Sequence, residues 1–207
     1  MKQFNEDFKI KLYQNISDIE NNSLVEIVAI VRQQSDHYKD IGLMIASILT
    51  GIAYTIMILL PFDINPYLIY VITIALFFFA FFVTMSIPSI LRIFIPKKRI
   101  NKSVEIMARA IFQKGGIRFT EERIGVLFFV SYLEKKVFII ADRGAQMAVP
   151  QEEWDEIQSQ FNACFNDLLV AENILKTLSN TKDIFNKYIP PVENDINELP
   201  DNLEVNI

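Results

Sequence analysis

Two long runs without a charged residue constrain this chain more than any other feature. The first occupies residues 41–62 (IGLMIASILTGIAYTIMILLPF), and the second occupies residues 64–91, which include VITIALFFFAFFVTM. A helix of about 20 residues, rising about 1.5 Å per residue, crosses the hydrocarbon core of a bilayer. A chain of 207 residues is too short to bury two such helices in a globular core. The runs therefore predict a transmembrane helical hairpin over residues 41–91.

Basic residues predict the orientation of this hairpin. The connecting segment, residues 61–67 (PFDINPY), is a polar turn without lysine or arginine. Basic residues instead flank the outer ends of the two runs: Arg32, Lys39, Arg92, Lys97, Lys98, Arg99 and Lys102. The positive-inside rule then predicts a multi-pass protein of the plasma membrane with both termini in the cytoplasm. The basic run after the second span is also expected to contact anionic headgroups, which makes the lipid bilayer one predicted partner.

The polar residues of the spans indicate an anchor rather than a transport path. No residue within either run is ionisable at neutral pH, so no proton relay or ion path is visible. Small residues in the first run, among them Gly42 and Gly51, predict close approach of the two helices. The hairpin is therefore expected to hold another part of the chain at the membrane.

Charge and rare residues exclude several classes of function. A formal charge of −5 argues against a nucleic-acid partner, which requires a basic surface. The single cysteine, Cys164, excludes an internal disulfide and a cysteine cluster for zinc, and it is expected to be a small buried side chain. The single histidine, His37, cannot form a histidine-rich metal site and is expected at the solvated membrane edge. The first residues lack the apolar core of a signal peptide, so residues 1–40 are expected to remain in the mature protein.

Periodicity outside the apolar runs predicts one split α/β domain. An amphipathic helix from Phe4 to Ile19 precedes a short apolar strand at 24–31, and a helix over 103–113 follows the membrane hairpin. Two further apolar strands within 124–142 form an antiparallel hairpin, and two helices follow, one from Pro150 and one ending before Pro190. A lone strand is not stable, so the first strand is expected to join the later hairpin in one sheet.

The predicted fold class is therefore α/β, a small mixed sheet flanked by helices, with the transmembrane hairpin inserted after the first strand. The predicted domains are a cytoplasmic α/β domain made of 1–40 and 92–192, the hairpin at 41–91, and an acidic tail at 193–207.

Three segments of the chain resemble the TPM domain family. They are residues 122–144 (ERIGVLFFVSYLEKKVFIIADRG) with Trp154 after them, the tail motif NELPD at 197–201, and the first strand, SLVEIVAIV, at 23–31. The resemblance is to a bacterial, membrane-anchored branch that likewise places a membrane hairpin after its first strand. Two positions depart from that branch, Ile124 where threonine is usual and Ala145 where isoleucine is usual. The resemblance implies a TPM-like fold and, through some plant relatives, a phosphatase label.

Asp142 is the acid of most interest, because it ends a strand and precedes Arg143 and Gly144. Ligands usually bind at strand ends of α/β sheets, and a carboxylate cluster binds Ca²⁺ or Mg²⁺ through hard oxygen ligands. The alternative is structural, since such a carboxylate commonly accepts backbone N–H bonds in a turn or cap. The ligand or metal candidates are Asp142, Glu26, Glu134, Ser131 and Arg143, with Arg123 near them.

Two hypotheses for function follow from these observations. The first is a membrane-anchored, non-catalytic interaction or scaffold module at the inner face of the membrane, with a protein partner still to be identified. The second is a metal-dependent, phosphatase-like hydrolase that uses Asp142. The sequence contains no cysteine-based phosphatase loop and no glycine-rich phosphate loop after a strand, which favours the first hypothesis.

Overall fold

The structure is a computed structural model that describes residues 3–60, 65–115, 117 and 123–192, together with the backbone of 205–206. Much of the predicted polar turn and most of the acidic tail lie outside these residues. The chain divides into two compact units, one made of Met1–Ser35 and Asn101–Ile207 and the other made of Asp36–Ile100.

Among the described residues, the secondary structure follows the predicted order and adds four short elements. These are a helix at Pro88–Phe94, a helix at Arg143–Ala148, a 3₁₀ helix at Cys164–Asn166 and a two-residue strand at Val205–Asn206. The elements are α1 (Glu6–Glu20), β1 (Glu26–Arg32), α2 (Lys39–Leu59), α3 (Pro66–Ser86), α4 (Pro88–Phe94), α5 (Lys97–Lys114), β2 (Gly125–Ser131), β3 (Lys136–Ala141), α6 (Arg143–Ala148), α7 (Gln151–Ala163), α8 (Val170–Tyr188) and β4 (Val205–Asn206).

One mixed sheet, of order β3-β2-β1-β4, organises the first unit. Strand β1 pairs in parallel with β2 over seven residues, from Glu26 opposite Gly125 to Arg32 opposite Ser131. Strand β2 pairs antiparallel with β3, and β4 pairs in parallel with the end of β1. The pairing of β1 with β2 confirms that the segments before and after the apolar runs share one sheet, as the instability of a lone strand predicts.

Both faces of the sheet are covered, which explains why every residue of β2 is buried. Alternate side chains of a strand point to opposite faces. Val126, Phe128 and Val130 belong to a large core with buried side chains of α1, α7 and α8. Leu127 and Phe129 belong to a smaller core with Ile30, Val104, Ala108 and Ile117. Strand β2 is therefore the central, fully enclosed element of the unit.

In the second unit, the second apolar run forms two helices instead of one continuous span. Helix α3 ends at Ser86, and α4 starts at Pro88. Ile87 between them has extended backbone angles (φ −112°, ψ 93°). The residue before a proline disfavours helical angles, which accounts for the break within the run at 64–91.

Helices α2 and α3 pack against each other and are long and apolar enough to cross a membrane. Only 28% of the most apolar stretch of α2 and 11% of that of α3 is buried, whereas a core helix of a soluble protein would be mostly buried. A Cβ added at Gly42 would lie 2.8 Å from Met85 Sδ, so the predicted close approach at this glycine is confirmed. Gly51 has no atom within 4 Å of such a Cβ and makes no close contact.

An ion-pair cluster joins the start of α2 to the start of α5 within the second unit. The Arg99 guanidinium donates to Asp36 Oδ2 at 3.0 Å and also pairs with Asp40. It lies 5.1 Å from the ring centroid of Tyr38, a buried side chain. Hydrogen bonds from the guanidinium to Asp40 and Asp36 raise the pKa of Arg99 above its usual range. Arg99 therefore acts as a structural cation, in contrast to the exposed lysines beside it.

The close approach at the start of β2 gives a test of the packing. A Cβ at Gly125 would lie 2.3 Å from the carbonyl oxygen of Ile117. We expect Gly125→Ala to lower the free energy of unfolding by about 1–3 kcal/mol, because backbone must shift. The measurement is chemical unfolding of the full chain in detergent micelles, followed by the fluorescence of the single tryptophan, Trp154. Gly51→Ala is the matched control and should be neutral or slightly stabilising. Equal stability of the two variants would contradict this packing.

Candidate functional site

The sequence-predicted site residues lie at two opposite ends of the sheet. The parallel strands β1 and β2 start at Glu26 and Gly125 and end at Arg32 and Ser131. Strand β3 runs the other way, and the N–H of Asp142 donates to the Gly125 carbonyl at 2.8 Å. The start of β2 is therefore separated from its end by about 20 Å, the length of a seven-residue strand.

The structure thus brings Glu26, Asp142 and Arg143 to one end of the sheet and Ser131 and Glu134 to the other. The rule that ligands bind at strand ends concerns the carboxyl ends of parallel strands. Asp142 follows an antiparallel strand and lies at the amino ends of β1 and β2, so that rule does not apply to it. Among the described residues, no group of three or more histidine, cysteine, aspartate or glutamate side chains is placed to hold a metal ion.

A buried polar cluster closes the carboxyl ends of β1 and β2. Glu134 Oε1 accepts from the Ser35 N–H at 2.8 Å, and Glu134 Oε2 accepts from Ser131 Oγ at 2.6 Å. The two serine hydroxyls lie 2.6 Å apart. Ser35, Ser131 and Glu134 are only 7%, 0% and 2% exposed. A carboxylate beside a serine hydroxyl is how a base activates a nucleophile, but here both carboxylate oxygens already accept bonds away from solvent.

This Ser35–Ser131–Glu134 cluster ties the segment after β1 to the turn between β2 and β3. The backbone continues the pairing beyond the strands, since the Tyr132 N–H donates to the Arg32 carbonyl and the Leu133 N–H donates to the Gln33 carbonyl. The cluster's contacts are therefore those of a structural clamp. Ser35 was absent from the sequence prediction, because no local pattern connects a residue in this loop with a glutamate 99 positions later.

Asp142 is the N-cap of α6, a helix that the sequence reading did not predict. Its Oδ1 accepts from the Arg143 N–H at 2.7 Å, and its carbonyl accepts from the Gln146 N–H at 2.8 Å. The sequence signal for the start of this helix is the aspartate itself, because aspartate is a favoured N-cap residue. Gly144 lies within this helix, and its N–H donates to the carbonyl of Arg123, which precedes β2, at 2.8 Å.

The surroundings of Asp142 hold one unusual backbone position and one unpartnered oxygen. Arg123 has a positive φ of 55°, which is uncommon for a residue other than glycine. Asp142 Oδ2 is buried and accepts no hydrogen bond from the described residues. Arg143 is exposed, whereas Glu26 is 5% exposed at the start of β1.

A cleft lies along the outer edge of β3, between this strand and α6 and α7. Its volume is about 140 Å³, and it is lined by Ile139, Ala141, Gln146, Gln151, Trp154, Asp155 and Gln158. Side chains of α7 bond to the strand edge: Asn162 Oδ1 accepts from the Val137 N–H, and Gln158 bonds to Ile139 and Val137. The indole N–H of Trp154 is buried without an acceptor among the described residues. No pattern in the sequence predicts a site here.

Cys164 has the environment of a structural thiol. It is buried, as predicted, and its Sγ lies 3.3 Å from Thr177 Oγ1 and 3.4 Å from the Gln160 carbonyl. Burial raises the pKa of the Cys164 thiol, which lowers its thiolate fraction at neutral pH.

Comparisons with known proteins identify the class of the folded unit. The family model described as TPM domain matches residues 91–183, which cover β2, β3, α6 and α7 and reach into α8. Residues 91–183 therefore form a TPM domain. Its fold is similar to the NMR structure of BA42 protein from the psychrophilic bacterium Bizionia argentinensis, with a TM-score of 0.60 and 15% sequence identity. That similarity covers 98% of this chain and 94% of the other, and at this identity it shows the fold alone. No curated protein matches the chain.

The buried cluster makes Glu134 a test of the clamp. We expect Glu134→Ala to lower the free energy of unfolding by about 1–3 kcal/mol, because the Ser35 N–H and the Ser131 hydroxyl lose their buried acceptor. Glu134→Gln keeps one acceptor oxygen and should cost less. Glu156→Ala, at an exposed glutamate of α7, is the control and should change stability by less than about 0.5 kcal/mol. A stability of Glu134→Ala equal to that of the control would show that the cluster does not clamp the fold.

The capping role of Asp142 predicts a different pattern. Asn is as good an N-cap as Asp, whereas Ala costs about 0.5–2 kcal/mol. We therefore expect only Asp142→Ala to lower the melting temperature, with no response of any variant to Ca²⁺, Mg²⁺ or chelator. A metal-dependent rise in the wild type that Asp142→Asn abolishes would instead indicate a hard-cation ligand, because the lost charge weakens such a site.

Proposed function

We propose that this TPM-domain protein is a membrane-anchored interaction or scaffold module at the inner face of the plasma membrane. The observation that carries the proposal is the insertion of two exposed apolar helices, α2 and α3, between two paired strands of one folded domain. Because β1 and β2 must pair, both ends of the inserted segment return to the same domain. Such an arrangement holds the domain at one surface of the bilayer.

Charge supports the cytoplasmic orientation. Lys39 precedes the apolar part of α2, and Lys97, Lys98 and Lys102 are exposed near the start of α5. Arg99 is paired with Asp36 and Asp40, so these lysines are the exposed cations beside the outer ends of the two spans. Cations beside the spans favour the cytoplasmic face and attract anionic lipids.

The use of polar side chains in holding the fold supports a non-catalytic role. Glu134 and Ser131 bond within a buried cluster, and Asp142 caps a helix at the other end of the sheet. A hydrolytic site needs a nucleophile, a base and a stabilising donor that converge on one point open to substrate. The described candidates are instead about 20 Å apart in two sets, each engaged in local structure.

The alternative is a metal-dependent, phosphatase-like hydrolase that uses Asp142. One observation favours it, the buried Asp142 Oδ2 without a partner among the described residues. Purified full-length protein tests it directly. Chelator-sensitive hydrolysis of p-nitrophenyl phosphate that is lost in Asp142→Asn would replace the scaffold proposal, whereas equal background rates for wild type and variant agree with it.

Reporter fusions test the anchor and its orientation. We expect a reporter that works only in the cytoplasm to be active when fused after Ile207, because the basic residues stay inside. The same reporter fused after Leu60, at the end of the first span, should be inactive. Activity of an export-dependent reporter after Ile207 would overturn the orientation, and release of the protein from membranes by alkaline carbonate would overturn the anchor.

A further inference from the structure

The outer edge of β3 exposes a regular series of backbone groups. The N–H of Asp142 faces β2, so the residues whose N–H and C=O groups face away from β2 are Val137, Ile139 and Ala141. In the part of the chain that the structure describes, β3 is the last strand on its side of the sheet. An open edge of this kind can pair with another extended chain, and folded proteins usually cover it.

Gln158 covers the first part of this edge, because its side-chain amide makes the hydrogen bonds that a neighbouring strand would make. Its Nε2 donates to the Val137 carbonyl at 2.7 Å, and its Oε1 accepts from the Ile139 N–H at 3.2 Å. In a parallel sheet, a partner-strand residue opposite Phe138 would make the same two bonds: its N–H would donate to the Val137 carbonyl, and its carbonyl would accept from the Ile139 N–H. The side-chain amide thus occupies the position of a main-chain residue.

The next equivalent position along the edge lies in the cleft. It is formed by the Ile139 carbonyl and the Ala141 N–H, on either side of Ile140, and both Ile139 and Ala141 line the cleft. The described residues supply hydrogen-bond partners for the Val137 and Ile139 N–H groups, but they supply none for the Ala141 N–H or the Ile139 carbonyl. Trp154, which is 8% exposed and whose indole N–H has no acceptor among the described residues, also lines this cleft.

We propose that this cleft binds an extended peptide segment of a partner protein, which adds to the edge of β3 through a main-chain amide at the position across Ile140. The proposal rests on the interaction role proposed above and names its partner class. The peptide N–H bonds to the Ile139 carbonyl, and its carbonyl accepts from the Ala141 N–H.

The size and charge of the cleft limit the class of peptide that it can bind. A cleft of about 140 Å³ along a strand edge is small, so it suits a narrow extended chain rather than a folded surface. Among the described residues that line the cleft, Asp155 is the only charged one, and its Oδ1 accepts from Gln151 Nε2 at 2.9 Å. An acidic peptide is therefore disfavoured, and a neutral or basic one is favoured.

Peptide titration of the full-length protein in lipid nanodiscs tests the proposal. The probe is an acetylated, amidated pentapeptide of alternating threonine and valine, and its control carries an N-methyl group on the central amide. We expect saturable changes in the NMR signals of the Ala141 N–H and of the indole N–H of Trp154, the single tryptophan. The N-methylated peptide lacks the donor and should bind at least about tenfold more weakly, since tenfold corresponds to about 1.4 kcal/mol. Equal binding of the two peptides, or no saturable change at those signals, would overturn the proposal.

Substitution of Gln158 tests strand addition directly, because only a peptide that pairs with the edge of β3 would bind more tightly when Gln158 is removed. Gln158→Ala frees the Val137 carbonyl and the Ile139 N–H, so the peptide gains a second bridging position and should bind about threefold to tenfold more tightly. Gln160→Ala, on the exposed side of α7, is the matched control and should bind like the wild type. Circular dichroism checks that both variants fold. Unchanged or weaker binding by folded Gln158→Ala would contradict the strand-addition geometry.

These outcomes are separable from the proposed function. The orientation and anchor depend on α2 and α3 and are measured by fusions and extraction, without peptide. If the protein is anchored as proposed but the cleft binds no peptide, only the partner class is wrong. If peptide binds but the anchor fails, the edge of β3 still stands as a binding site.

Discussion

The parallel pairing of β1 with β2 is the interaction on which the rest of the structure depends. It joins Glu26–Arg32 to Gly125–Ser131 across a large separation in sequence. A parallel pair requires a long crossover between its strands, and a helix usually supplies it. Here α5 is the part of the crossover that packs on the sheet, through Val104 and Ala108. The remainder of the crossover contains the two apolar helices.

Side-chain hydrogen bonds hold the end of the β1–β2 pairing at the point where the chain leaves the domain. The first part of the folded unit ends at Ser35, whose N–H is bonded to the buried Glu134 carboxylate. Buried hydrogen bonds of this kind are expensive to break, since each lost partner leaves a desolvated polar group. The end of the pairing between β1 and β2 is thus held by side-chain hydrogen bonds as well as by backbone hydrogen bonds.

The edges of the sheet show how a small sheet avoids unspecific pairing. On one side, Glu20 Oε1 accepts from the Ile27 N–H, and β4 pairs with the end of β1. On the other side, Gln158 and Asn162 bond to the edge of β3. Edge strands invite pairing with other chains unless they are covered. Among the described residues, this cover ends at the cleft beside Ala141.

The sequence by itself determined the apolar runs, the hairpin of β2 and β3, and the need for the early strand to find a partner, because each depends on local periodicity or on the instability of a lone strand. Only the tertiary structure decided which polar residues meet. Asp142 and Glu134 follow successive hairpin strands and looked like neighbours, yet antiparallel pairing sends them to opposite ends of the sheet. Ser35 meets Glu134 through the parallel register, and Gln158 meets Ile139 through helix packing. Such contacts link residues distant in sequence, so no local pattern encodes them.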